Sequence, residues 1–148
     1  MTPRILVIED GFEYTRALER IAGDAAELVR AADAEEAEAL LEAGPFRAVL
    51  LDVVFDRTPT DRLAGGGPEL LARFGGDHTR VTEHVARQQG FYIADALASR
   101  LAESRVLMAY DFSADPERLE ALRENLPGLE GIREGTGLDD VLARLLAE

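Results

Sequence analysis

Residues 48–55 read Ala48-Val49-Leu50-Leu51-Asp52-Val53-Val54-Phe55, and this stretch decides the fold. It is apolar at every position except Asp52, with no alternation of polar and apolar residues. A strand half-exposed to water would alternate, so the run suits a strand covered on both faces, the central position of a parallel sheet. Working outward, Ile5-Leu6-Val7-Ile8 is a second buried run, ending in Glu9-Asp10-Gly11, and Arg105–Tyr110 (RVLMAY) is a third. Glu27–Ala32 (ELVRAA) is a weaker strand, and Leu129–Arg133 the last.

Helical patterns separate these strands. Phe12, Leu18 and Ile21 are spaced as one face of a helix over 12–22, stopped at Gly23. Asp33 with Glu36 forms a capping box for a helix running to Gly44-Pro45. Asp115-Pro116-Glu117 opens a helix that ends before Pro127-Gly128, and Leu138, Val141, Leu142, Leu145 and Leu146 stripe a terminal one. Strands alternating with helices predict an α/β fold whose parallel sheet is covered on both sides.

The chain has 148 residues and a net charge of −13, with no cysteine, and all 16 of its Lys+Arg residues are arginine. That acidity argues against nucleic acid, which needs a basic stripe, and against an anionic membrane surface. The absence of cysteine removes disulfides, thiolate nucleophiles and cysteine-ligated metals. Chemistry that requires a lysine ammonium is excluded. The apolar run near the amino end is too short for a signal-peptide core, and no 18-residue apolar run follows. These features predict a cytoplasmic protein.

In open α/β sheets, ligands bind beyond the carboxyl ends of the strands. Here those ends carry Glu9 and Asp10 after the first strand and Asp52 in the third. Three carboxylates sharing a crevice repel one another, and a divalent cation would relieve that repulsion. Oxygen-only ligands suit magnesium, which keeps several of its waters.

The run ILVIED, the VLLD ending at Asp52, the VLM strand and the overall alternation resemble the receiver domain of bacterial response regulators. The resemblance implies a single flavodoxin-like (CheY-like) domain over 1–148, a three-layer α/β/α sandwich with a five-stranded parallel sheet of order 2-1-3-4-5. It further implies Asp52 as phosphoacceptor, and Glu9, Asp10, Asp52 and the Val54 carbonyl as the Mg2+ ligands. Partners would be a sensor histidine kinase or another signalling protein, with a homodimer as a further assembly. The chain stops near where a fifth helix would end, so output is expected through protein contacts. Two positions depart from the family pattern. The small hydroxyl at the end of the fourth strand falls on Tyr110. The lysine after the fifth falls on Arg133, which reads either as a lysine substitute or as a surface arginine. The departures leave open an atypical, degenerate receiver.

A third departure is an insertion over 56–89. The glycine that should follow soon after Phe55 is matched only by Gly90, about 34 residues late, where strand–helix connections usually take 2–6 residues. The third helix then continues through Leu97 and Leu101. Within the insertion, Gly65-Gly66-Gly67-Pro68 reads as a hinge, Glu69–Phe74 as a helical turn, and 79–89 as a helix or a backward extension of the third. His78 and His84, six apart, fall on different helix faces and do not suit a metal. Leaving the sheet beside Asp52, the segment is expected to cover the pocket mouth or dock a partner, and to be the least stable part of the fold.

The competing class is a Mg2+-dependent phosphotransfer enzyme or hydrolase built on the acids. Toprim-type nucleases and aspartate-nucleophile phosphatases want an Asp-x-Asp pair at the later strand. Here three residues separate Asp52 from Asp56, so the sequence reads as non-enzymatic.

Overall fold

Five strands form one sheet in which the second, first, third, fourth and fifth strands of the chain lie side by side, all parallel. The computed structural model describes residues 2–148. The strands are β1 Arg4–Ile8, β2 Glu27–Ala31, β3 Ala48–Leu51, β4 Arg105–Met108 and β5 Glu130–Gly131. Helices α1 Glu13–Ala22 and α8 Leu138–Leu146 cover one face. Helices α2 Ala34–Ala43, α5 Gln89–Ala96, α6 Ala98–Leu101 and α7 Pro116–Arg123 cover the other. Two further helices, α3 Pro68–Arg73 and α4 His78–Arg87, belong to the insertion.

Strand pleating divides the buried residues cleanly. Ile5, Val7, Ala48, Leu50 and Leu107 point to the α1/α8 side with Leu18, Val141, Leu142 and Leu145. Leu6, Ile8, Val49, Leu51, Val106 and Met108 point to the opposite core. β3 lies at the middle of the sheet with every residue buried, which is why its sequence shows no alternation. Truncating Leu50 to alanine in this setting costs about 2–5 kcal/mol.

The ladders are shorter than the apolar runs. β3 stops at Leu51, so Asp52–Phe55 are loop; β4 stops at Met108, and β5 keeps only Glu130 and Gly131. Apolarity reports burial, and Val53 and Phe55 are buried without being in the sheet. α1 is also read differently by the structure: Phe12 and Ile21 are 46% and 43% exposed, and the inward face is Thr15, Leu18 and Ala22. Asp33 caps α2 as its sequence implies, accepting from the Glu36 amide at 2.9 Å while Glu36 accepts from the Ala32 amide at 3.0 Å.

The insertion is tied to the body of the fold. The buried Gln89 side chain pairs with both backbone groups of Ala64, accepting from its N–H at 2.7 Å and donating to its carbonyl at 2.9 Å. Arg62 donates to Asp33 at 2.9 Å and to Glu35 at 2.9 Å, at the amino end of α2. Leu70 and Val85 are buried, and the Phe74 ring lies 5.4 Å from His84. The apolar turn therefore packs on its own insertion. Of the two readings of 79–89, the structure gives the separate helix: α4 spans His78–Arg87 and α5 starts at Gln89.

Candidate functional site

The parallel register of β1 and β3 sets Ile8 beside Leu51, and the ladder continues one step further, where the Asp52 N–H donates to the Ile8 carbonyl at 3.0 Å. On the other side the Ala109 N–H donates to the Leu51 carbonyl at 2.8 Å. Asp52 is thereby placed at the carboxyl end of the sheet, between the loops that follow β1 and β4.

The acids that meet there have different employments. Glu9 is 1% exposed, and its carboxylate accepts from the Tyr14 N–H at 3.2 Å, the Thr15 N–H at 2.8 Å and the Thr15 hydroxyl at 2.7 Å. It caps α1 from inside, satisfying orphan amides of the first turn. Phe12, the nominal cap residue, offers no side-chain acceptor. Both Glu9 oxygens are thus engaged by the first turn of α1. Asp10 has a side chain only 4% exposed and accepts from the Arg57 N–H at 2.8 Å through Oδ2. Asp52 accepts from the Val53 N–H at 2.9 Å through Oδ1, and no donor reaches its Oδ2.

Burial pushes the Asp52 carboxyl up to about 6. The Val53 N–H works against that shift, and the charges of Glu9, Asp10 and Glu13 add to it. The Tyr14 phenol is held above its ordinary value by burial and by Asp52 and Glu9. Asp52 thus lies among like charges in a partly desolvated setting.

Beyond Asp52 the backbone is pinned. The Gly90 N–H donates to the Val53 carbonyl at 3.0 Å, and the Phe55 N–H to the Ala86 carbonyl at 2.8 Å. A Cβ on Gly90 would lie 2.2 Å from the Asp52 carbonyl oxygen and 2.8 Å from the Val53 Cα. Only glycine admits so close an approach of α5. Between these anchors the Val54 carbonyl receives no hydrogen bond, and the Val54 side chain is 44% exposed.

Neither Tyr110 nor Arg133 forms a hydrogen bond or ion pair with Asp52, although both line a cavity with Tyr14. The Tyr110 ring packs 5.1 Å from Phe91 and 4.7 Å from Phe112, in an aromatic cluster on the α5/α7 side. Arg133 is exposed and lies beside Asp111. The Asp111 carboxyl is held down to about 2 by the Ser113 hydroxyl first, then by the Glu134 and Ser113 N–H groups and the Arg133 charge. Arg133 makes no ion pair with Asp52.

The cation at the acids is one that sequence spacing does not single out. Arg57 donates to Glu13 at 2.6 Å and its guanidinium stands 3.9 Å from Asp10. Glu13 is held at about 2, chiefly by that hydrogen bond. In a chain without lysine, an arginine five residues past the buried aspartate is the clue that was available. A second arginine, Arg30, donates to the Asp10 carbonyl at 2.7 Å and to the Gly11 carbonyl, fixing the loop after β1.

Among the described residues, no three Asp, Glu or His side chains converge closely enough to hold a metal by themselves. The groups with unclaimed oxygens are Asp10, Asp52 and the Val54 carbonyl. Two carboxylates and one carbonyl fit magnesium, which is bound through few protein ligands and several waters.

No protein-family model matches the chain, and no curated protein sequence is similar to it. Solved structures are similar in fold. A two-component response regulator from Clostridium difficile superposes with a TM-score of 0.63 at 12% identity, over 99% of this chain and 94% of that one. An adenylate cyclase from Rhodopirellula baltica gives 0.62 at 16% identity, over 99% and 87%. A Burkholderia pseudomallei response regulator solved with a phosphorylated aspartic acid, calcium ion and citrate gives 0.60 at 16%, over 98% and 67%. Most of the similar structures are CheY-like receivers, and this chain has their fold. No helix among the described residues is long and apolar enough to cross a membrane.

Proposed function

We propose that this chain is a receiver-type signalling module whose phosphoryl acceptor is Asp52. The observation that carries the reading is the state of Asp52 itself. It is a half-buried carboxylate at the end of the central strand, with one oxygen unclaimed and a neighbouring acid, Asp10, at the same sheet end. With its carboxyl near 6, Asp52 is mostly ionised at neutral pH and available as a nucleophile. Its oxygen would attack the phosphorus of a donor, and the bond from phosphorus to the donor would break with its electron pair staying on the leaving atom, the imidazole nitrogen of a phosphohistidine or the carboxylate oxygen of an acyl phosphate. Asp10, Asp52 and the Val54 carbonyl would hold magnesium, which neutralises charge on phosphoryl oxygens. The likeness to a response regulator with a phosphorylated aspartate supports the reading. A histidine kinase or another signalling protein is the matching partner, and the chain acts through protein contacts rather than as an enzyme.

A second reading draws support from Tyr110 and Arg133. Neither supplies a hydroxyl or cation to Asp52, as a responsive receiver would require, so a degenerate receiver that signals by binding alone is the alternative. Incubation with acetyl phosphate and Mg2+, followed by intact mass measurement, separates the two. The first reading expects one added phosphoryl group that Asp52→Asn lacks. No addition, under conditions that label an ordinary receiver, places the chain in the second.

A further inference from the structure

The acid pocket carries its own counter-ion. Arg57 is the first arginine of the insertion, and it reaches the pocket by two routes. Its N–H donates to Asp10 Oδ2 at 2.8 Å, which pins the loop to the acid. Its guanidinium pairs with Glu13 at 2.6 Å and stands 3.9 Å from Asp10 Oδ1, the oxygen that the backbone leaves free. Asp10, with a side chain only 4% exposed, has no other ion pair among the described residues.

The space that the guanidinium fills is created by Gly11. A Cβ there would lie 2.7 Å from both Arg57 Nη1 and Nη2, and 2.1 Å from Glu13 Oε2. Any larger residue at position 11 would push these flexible ends apart without moving the backbone. Two features distant in sequence, a missing side chain after β1 and an arginine after β3, thus combine to seat one positive charge at the acids.

We propose that Arg57 is a built-in competitor for divalent cations at Asp10, and so sets the affinity of the site for metal. The proposal rests on the reading of Asp10 and Asp52 as cation ligands. A divalent ion taking Asp10 Oδ1 must share it with, or displace, the guanidinium. Removing a unit positive charge within about 4 Å of a ligand oxygen favours cation binding, and the effect shrinks as salt screens it.

The test is Mg2+ titration of the intact chain by calorimetry at low ionic strength. Arg57→Ala keeps the backbone N–H on Asp10 and should bind Mg2+ on the order of tenfold more tightly than wild type. Gly11→Ala should tighten binding in the same direction, and Arg57→Lys, which keeps the charge, should stay near wild type. The differences should narrow in 1 M NaCl, where the screening length is about 3 Å. Wild type showing no binding while Arg57→Ala binds would support the proposal equally. Binding that is unchanged or weaker in Arg57→Ala would overturn the proposal while leaving the metal site standing. Absence of binding in every variant, matched by Asp10→Asn, would overturn both.

Discussion

Asp52→Asn should make the metal-free protein more stable at neutral pH, although it removes the proposed nucleophile. The size follows from the electrostatics of the pocket. Raising the carboxyl from 3.8 to about 6, at about 1.4 kcal/mol for each pH unit, makes the ionised form about 3 kcal/mol less favourable folded than unfolded. Asparagine removes the charge and keeps an oxygen for the Val53 N–H, so the variant should recover about 1–3 kcal/mol. For a chain of this length that is roughly 3–10 °C in Tm.

The pH dependence has a definite sign. An acid whose folded pKa is raised destabilises the fold where it is ionised, and here that means above about pH 6. As pH falls through 6 the folded state takes up the proton, and below the unfolded value near 3.8 the penalty is gone in both states. Thermal melts of wild type and Asp52→Asn without metal should therefore differ at pH 7.5 and converge near pH 4. Saturating Mg2+ should also close the gap, by stabilising wild type about 2.7 kcal/mol at 100 times Kd. An Asp52→Asn variant that melts at or below wild type at pH 7.5, or a difference that is the same at pH 4, would refute the reasoning.

Other consequences are as direct. Gly90→Ala, ordinarily helpful in a helix by about 1 kcal/mol, should instead destabilise by about 1–3 kcal/mol in urea unfolding, because its Cβ meets the Asp52 carbonyl at 2.2 Å. Gln89→Leu removes both partners of Ala64 and should cost about 1–3 kcal/mol, with the loss visible as faster amide exchange at Ala64. Across the insertion, exchange should be fast in the glycine run 65–67 and slow at Phe55 and Ala64, whose amides are bonded at 2.8 and 2.7 Å. Uniformly fast exchange from 56 to 80 would show that the ties do not hold in solution. Arg133→Ala should leave the Asp52→Asn stability difference unchanged, since the guanidinium lies beside Asp111.

The parts of this structure that sequence reveals are those enforced by burial or by local chemistry. β3 announces itself because both of its faces are covered, and α2 because Asp33 and Glu36 bond within four residues of each other. Gly90 stands out in the sequence after the long connection from Phe55, and in the structure it lies against the Asp52 carbonyl. What remained hidden depends on where a polar chain end swings. Glu9 stands beside Asp10 in the chain, yet one engages α1 and the other the insertion, and no spacing rule distinguishes them. Phe12 and Ile21 match a helical period but lie outward, because the buried stripe is rotated to Thr15, Leu18 and Ala22.

The same distinction governs the insertion. Its glycines, its length and its exit beside Asp52 suggest a loose cover, and composition alone supports that. The structure instead ties its first half through Arg57 to Asp10, through Arg62 to Asp33 and through Ala64 to Gln89. Two of these three ties end on acids that cap or line the carboxyl ends of β1 and β2. An acidic chain gains most by placing its arginines where negative charge is already desolvated, since an ion pair with a buried partner is screened less than a surface pair. The insertion therefore brings positive charge to these acids as well as bulk. Shortening it while keeping Arg57 should preserve the electrostatics of the acids, whereas Arg57→Ala should alter them with every helix in place. Comparing Mg2+ binding in those two variants shows which property of the insertion the site depends on. Equal effects of the two changes would show that charge alone is not the connection.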